Sequence, residues 1–184
     1  MRGLIAGALF GAEIYVPYLL IRDYGFSAVV AGLALTTAAL AWAAAAEVQG
    51  RIGDRLGNRR ITLLATAQMI VAFGAAFATA AWHLHPAILI VCWALAGSGM
   101  GLVYPRLSVL MLAYSNSGNQ GFHSSALSIS DAVGSASTIA AMGLVFLAFA
   151  ATGAQFPAVF AVAVLLTLLA LVPGLRLGHA RERV

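Results

Sequence analysis

The chain has 184 residues, 62% of them hydrophobic and only 9% charged, where soluble domains carry roughly a quarter charged residues; its mean hydropathy is +0.95. That balance excludes a soluble globular domain and describes an integral membrane protein. The formal charge of +4 arises from 10 basic residues, every one an arginine; they are confined to loops and ends without interleaved aromatics, which speaks for membrane topology and against nucleic-acid binding.

A helix needs roughly 20 apolar residues to cross a bilayer, and six stretches qualify, at about 3–21, 27–48, 61–81, 87–112, 122–151 and 155–175. The first follows Met1 and Arg2 as a signal peptide would. It has no small-residue cleavage site, so it is expected to stay as a span. Glu13 falls halfway along it, beside Tyr15 and Pro17. Arg22, Asp23, Tyr24 and Gly25 close it. The second stretch ends near Glu47, and residues 50–60 then place Arg51, Asp54, Arg55, Arg59 and Arg60 between two apolar runs. Such a segment is expected as an aqueous hairpin, with Gly50 and Gly57 in tight turns. Trp82, His83, His85 and Pro86 separate the third and fourth spans. The two histidines lack the further donors a metal site needs, so they are expected as interfacial residues and no metal is expected. The fourth span carries the lone Cys92, the glycines Gly97, Gly99 and Gly101 around Ser98, and then Tyr104, Pro105 and Arg106. One cysteine allows no internal disulfide. A polar tract at 114–121 leads to the fifth stretch, which is longer than a span needs. Thr152 and Gly153 precede the sixth.

Arg2, Arg51, Arg55, Arg59, Arg60, Arg106, Arg176, Arg181 and Arg183 fall on one side of this arrangement and Arg22 on the other. The positive-inside bias therefore predicts both termini in the cytoplasm, in a multi-pass protein of the cell (inner) membrane. No linker or soluble insertion interrupts residues 1–184, so one six-helix domain is expected.

Three acids need a polar partner, a cavity or the interface, because an ionised carboxylate in hydrocarbon costs at least about 2.5 kcal/mol. Glu13, the deepest, is the first candidate for a proton or cationic-substrate site, with a carboxyl hydrogen-bonded to a neighbouring helix as the alternative. Asp131 shares a helix face with Leu127, Ser128, Ser135 and Thr138; substrate contact and a structural polar clamp both fit it. Glu47 is expected to pair with Arg51 or Arg106. Arg106, after a helix-kinking proline, suits either a gating element or a snorkelling anchor. Ser98 between glycines is similar to the nucleophile of rhomboid intramembrane proteases, but residues 155–175 supply no histidine base, so no enzyme activity is expected. The glycines are expected to serve close helix packing.

Gly50, Asp54, Arg55, Gly57 and Arg59 follow, in order and spacing, motif A of the major facilitator superfamily, with Ile52 and Gly53 where leucine and alanine are commoner and Asn58 where arginine is frequent. Glu13, Tyr15, Pro17, Phe26, Ser27, Gly32, Thr36 and Trp42 resemble the first helix pair of the C-terminal half of drug:proton antiporters in that superfamily. Residues 124–136, around Asp131, resemble their eleventh helix. The resemblance implies an all-α membrane fold: six transmembrane helices in two inverted three-helix repeats, half of a full transporter. It implies proton-coupled export of a small molecule or drug, with no cofactor. Glu13, Tyr15, Asp131 and Arg106 would be substrate or proton contacts, and Asp54 would dock a helix start of the other half across a gating loop. The implied partners are the lipid bilayer, a small-molecule substrate, protons, and a second six-helix half or a homodimeric copy. The first residues read like the end of a cut central loop; a half-size transporter and a truncated, non-transporting remnant are the alternatives.

Overall fold

The computed structural model describes residues 1–116 and 118–176; His179, Arg181 and Arg183 lie outside the described residues. Seven α-helices make six spans: α1 (Arg2–Glu13), α2 (Tyr15–Tyr24), α3 (Ala28–Leu56), α4 (Asn58–Trp82), α5 (Pro86–Ala113), α6 (Gln120–Phe149) and α7 (Gln155–Arg176). A short 3-10 turn, Ala150–Thr152, extends α6. All six spans are long and apolar enough to cross a membrane.

The first span is α1 and α2 in succession, separated only at Ile14. Proline explains the break: Pro17 has no N–H to offer the carbonyl of Glu13, four residues back, and helices kink where that bond is lost. Pro105 and Pro173 lie within α5 and α7, which continue through them.

The largest departure from the sequence reading is at 50–60. The expected charged hairpin is almost wholly helical: α3 runs on to Leu56, α4 begins at Asn58, and a single residue, Gly57 with φ +79°, makes the reversal. Only glycine takes that backbone conformation freely. Gly50, expected in a turn, instead sits inside α3 facing open space. Arginine and aspartate are compatible with a helix that has left the apolar layer, so charge marked the end of the span but not the end of the helix.

The helices pair in a repeating pattern. The first span packs against α6 and α7, α5 packs against α3 and α4, and α4 packs against α7. Exchanging the first span with α5, α3 with α6 and α4 with α7 reproduces the same pairings, as two inverted three-helix repeats require. The glycines follow the same exchange. Gly3, Gly7 and Gly11 lie against Ser130, Gly134, Thr138 and Met142 of α6, while Gly97 and Gly101 lie against Ala38 and Trp42 of α3. Lipid-bathed helices gain nothing from hydrophobic attraction to one another, so close backbone approach at small residues decides which helices meet.

The core between these pairs contains Leu9, Val16, Phe73, Trp93, Met100 and Phe160, all buried. In contrast, α6 has only Thr138 and Met142 buried along its length, and α3 is mostly exposed. Two helices thus present long faces to whatever surrounds the unit.

A Cβ at Gly97 would stand 2.3 Å from the Ala38 carbonyl oxygen, and one at Gly74 would meet nothing within 4 Å. Gly97→Ala should therefore lower the melting temperature of the detergent-solubilised protein, through an overpacking penalty of about 1–3 kcal/mol. Gly74→Ala should leave it unchanged or raise it. Fluorescence-detected size-exclusion chromatography after heating reads both.

Candidate functional site

Two ion pairs that join different helices occupy the end of the bundle where α3 meets α4. Arg106 reaches from α5 under the reversal and donates from Nη1 to Asp54 Oδ1 at 2.8 Å, and from Nε to Asn58 Oδ1. Its side chain is 7% exposed while that of Asp54 is 96% exposed. The guanidinium is therefore buried beneath the motif and does not snorkel to the surface. Gly53 lies against this site: a Cβ there would stand 2.7 Å from Gln49 Nε2 and 3.3 Å from Arg106 Nη1, so the glycine that departs from the commoner alanine eases the packing around the pair. Asn58, at the other variant position, is the second acceptor of Arg106. Glu47 pairs with Arg51 one turn on, at 2.8 Å, and not with Arg106. Arg55, Arg59 and Arg60 are exposed.

The second pair was not legible in the sequence. Arg2, counted only as a topological charge, donates from Nε to Asp131 Oδ2 at 2.8 Å, and its Nη2 lies 2.7 Å from the same oxygen. Tyr104 donates its hydroxyl to the same Asp131 oxygen at 2.6 Å. Arg2 also donates from Nη1 to Ser108 at 2.7 Å and lies over the Tyr104 ring, 3.8 Å from its centroid. Asp131 is therefore held by α1 and α5, and not by the hydroxyls of its own helix. Both side chains of the pair are largely buried, at 13% and 14% exposure. Next to them a cavity of about 190 Å³ opens between the start of α1, the end of α5 and the start of α6, lined by Arg2, Ser108, Met111, Leu112, Ser124, Leu127 and Ser128. The nearest sequence signal was the run of serines around Asp131 in an otherwise apolar stretch.

Glu13 stands half-buried at the break between α1 and α2. None of the ion pairs among the described residues includes it. By helical spacing it shares a face of α1 with Arg2, Ala6 and Phe10, about 16 Å above Arg2 at 1.5 Å per residue. Aromatic rings fill the interval. Phe10 contacts Trp42 at 6.2 Å between centroids, and Trp42 meets Tyr104 edge-on at 5.8 Å. Tyr15 lies on the opposite side of the helix, buried and stacked on Phe146 at 5.1 Å in a cluster with Tyr18 and Phe156. Of the four residues singled out for substrate or protons, the structure groups none directly: Glu13 and Tyr15 point apart, Asp131 belongs with Arg2, and Arg106 with Asp54.

Ser98 is engaged otherwise, accepting from Gln68 Nε2 at 2.6 Å and donating to the Leu95 carbonyl oxygen at 2.8 Å. His85 caps α5, its Nδ1 accepting from the Ala87 amide, and His83 adopts a left-handed conformation that ends α4. No cluster of three or more potential metal ligands occurs among the described residues.

Six apolar spans in two exchangeable triplets, with two helices left open, make a six-helix membrane unit consistent with half of a larger two-part fold. The model of the Major Facilitator Superfamily matches residues 3–183, and the chain belongs to that family. It is therefore a multi-pass membrane protein of a family of transporters. No curated protein matches it.

The exposure difference between Arg106 and Asp54 sets what the loss of each does. Arg106→Gln, which removes a buried group serving both Asp54 and Asn58, should lower thermal stability clearly. Asp54→Asn leaves that guanidinium buried without its counter-charge and should lower it too, by more than the roughly 1 kcal/mol of an exposed pair, with a smaller loss in high salt, where free anions reach the open side of the pair. Melting curves at two salt concentrations test this.

Proposed function

We propose that this chain is the C-terminal-type half of a proton-coupled secondary transporter that exports a small molecule or drug from the cytoplasm, in the cell (inner) membrane with both termini inside. The observation that carries the reading is Glu13: a half-buried carboxylate without an ionic partner among the described residues, at a proline-broken point of the first span. A carboxylate there is stable in hydrocarbon when protonated or open to water, which is what a carrier alternating between two sides requires. The freed Glu13 carbonyl beside it gives a second polar group at the same depth.

The substrate path runs along the face shared by Glu13, Phe10, Trp42 and Tyr104. The exposed lengths of α3 and α6 are the surfaces on which a second six-helix unit, separately encoded or a second copy, closes that path. Asp54 is the group that meets it: its carboxylate is held in place by Arg106 yet almost fully exposed. An anion so presented suits the N-terminus of a helix on the other half, where backbone N–H groups and the helix dipole favour negative charge. That contact would hold one closed state of the cytoplasmic side.

Energised vesicles containing the chain, alone and with a second six-helix unit, should extrude members of a panel of fluorescent cationic and anionic dyes. An uncoupler should stop the efflux, and Glu13→Gln should reduce it to the level of vesicles without the chain. Efflux that persists in Glu13→Gln removes Glu13 from the proton path. Absence of efflux in every combination sinks the exporter reading and favours a non-transporting remnant.

A further inference from the structure

The ion pair between Arg2 and Asp131 stands against a cavity that the proposed proton path through Glu13 does not use. Arg2 brings five N–H donors, of which Nε, Nη1 and Nη2 engage Asp131 and Ser108. The cavity wall exposes the guanidinium together with the hydroxyls of Ser108, Ser124 and Ser128. Ser108 and Ser128 spend their own protons on carbonyls one turn back, at 3.2 Å each, long bonds that a rotation of the hydroxyl exchanges for a better acceptor. Beside them on the same helix faces, Met111, Leu112 and Leu127 supply apolar wall. A guanidinium, three hydroxyls and an apolar wall around about 190 Å³ match an oxyanion carrying a short hydrocarbon tail.

Resting on the reading of the chain as a transporter and not on its direction, we infer that this cavity binds a small organic monocarboxylate, which replaces Asp131 as the counter-anion of Arg2 while Asp131 takes up one proton. The reason is charge balance. A buried guanidinium keeps an anion beside it, because an unpaired charge there is strongly destabilising. A planar carboxylate offers the same two-oxygen acceptor that Asp131 now offers. A second carboxylate at the same guanidinium repels the first, so arrival of the ligand anion favours a proton on Asp131. Before binding the site holds one positive and one negative charge. Afterwards it holds Arg2 positive, the ligand negative and Asp131 neutral, so the loaded site has the same net charge as the empty one.

The groups that face Asp131 fit this exchange. α1 contributes Arg2, and α5 contributes Tyr104, a neutral donor that keeps its bond to either form of the carboxyl. α7 carries no titratable residue between Gln155 and Leu175, and on α6 itself the nearest titratable residue is His123, more than two turns away. A cationic ligand has no such route, since it would compete with Arg2 for Asp131 and leave two positive charges together.

Isothermal titration of the purified full chain in neutral detergent with butyrate tests the site, using Tris and imidazole buffers at pH 7 so that the difference in heat gives the proton count. Expected are saturable binding with uptake of about one proton per butyrate, and at least tenfold weaker binding of butyramide and butylammonium. Asp131→Asn should bind butyrate with no proton uptake. Ser128→Leu, which fills the cavity and leaves the pair intact, should not bind. The neutral double variant Arg2→Gln/Asp131→Asn avoids a lone buried charge, and should elute as the folded protein yet fail to bind. No butyrate binding, binding without proton uptake, or equal binding of butyramide overturns the inference. Displacement of butyrate by phosphatidylglycerol but not phosphatidylcholine assigns the site to a lipid headgroup instead and equally removes the substrate. Because this titration reads binding in detergent and the dye experiment reads transport, either can fail while the other stands.

Discussion

An arginine side chain inside an apolar bundle has to keep a counter-charge within reach, and this requirement organises the end of the molecule where α3 meets α4. Arg106 and Arg2 each meet it with an aspartate from a neighbouring helix, at 2.8 Å and 2.7 Å. The two solutions differ in a way that suits different tasks. Arg106 is buried and its aspartate lies in the open, so the pair holds its anion out toward a partner. Arg2 and Asp131 are both largely buried beside a cavity, so their bond is little screened and opens only if something else takes one side of it.

Neither pair forms unless the helices approach closely, and here the glycines matter more than the charges. Gly3 and Gly134 bring the backbones of α1 and α6 together within a turn of Arg2 and Asp131. Gly101, between one and two turns before Arg106, and Gly97, a turn further back, do the same for α5 and α3. Each glycine-packed pair of helices thus carries one ion pair. Backbone contact sets the spacing, and the long arginine side chain then finds its partner across a gap already fixed.

The fold was largely legible in the sequence because its signals are local. Six apolar runs, the reversal at Gly57 and the glycine spacing each follow from a few adjacent residues. Span ends were less legible: α3 continues as a helix to Leu56 after its apolar run has stopped, since charge ends burial without breaking backbone hydrogen bonds. The candidate site was the least legible part. Asp131 and Arg106 were visible as charges out of place in apolar runs, but their partners lie 129 and 52 residues away. No periodicity reports a pairing across that distance. Arg2 was hidden for a more specific reason. At the first turn of the first span, it had a sufficient explanation as a topological charge, and only the packing of α1 on α6 turns it inward.

The same geometry bears on how the unit could change shape. α6 is nearly bare, and α1 is the most buried of the helices it touches, so α6 is the element with the least packing to lose if it moves. Its attachments are the stripe from Ser130 to Met142 against the α1 glycines, Phe146 among the rings of Tyr15, Tyr18 and Phe156, and Asp131 to Arg2 and Tyr104. Glycine contacts of this kind depend on distance and allow sliding and rotation, whereas the bidentate ion pair fixes register. While Asp131 holds Arg2, α6 is tied at that end to both α1 and α5. When an alternative anion takes Arg2, the tie to α1 is lost and only the Tyr104 hydroxyl continues to bridge α5 and α6. Above it, the Pro17 break at Glu13 provides a point where the first span can bend without losing further backbone bonds. The ion pair at one end and the hinge at mid-depth lie on one face of one helix, so a ligand event at Arg2 and a proton event at Glu13 act on the same lever.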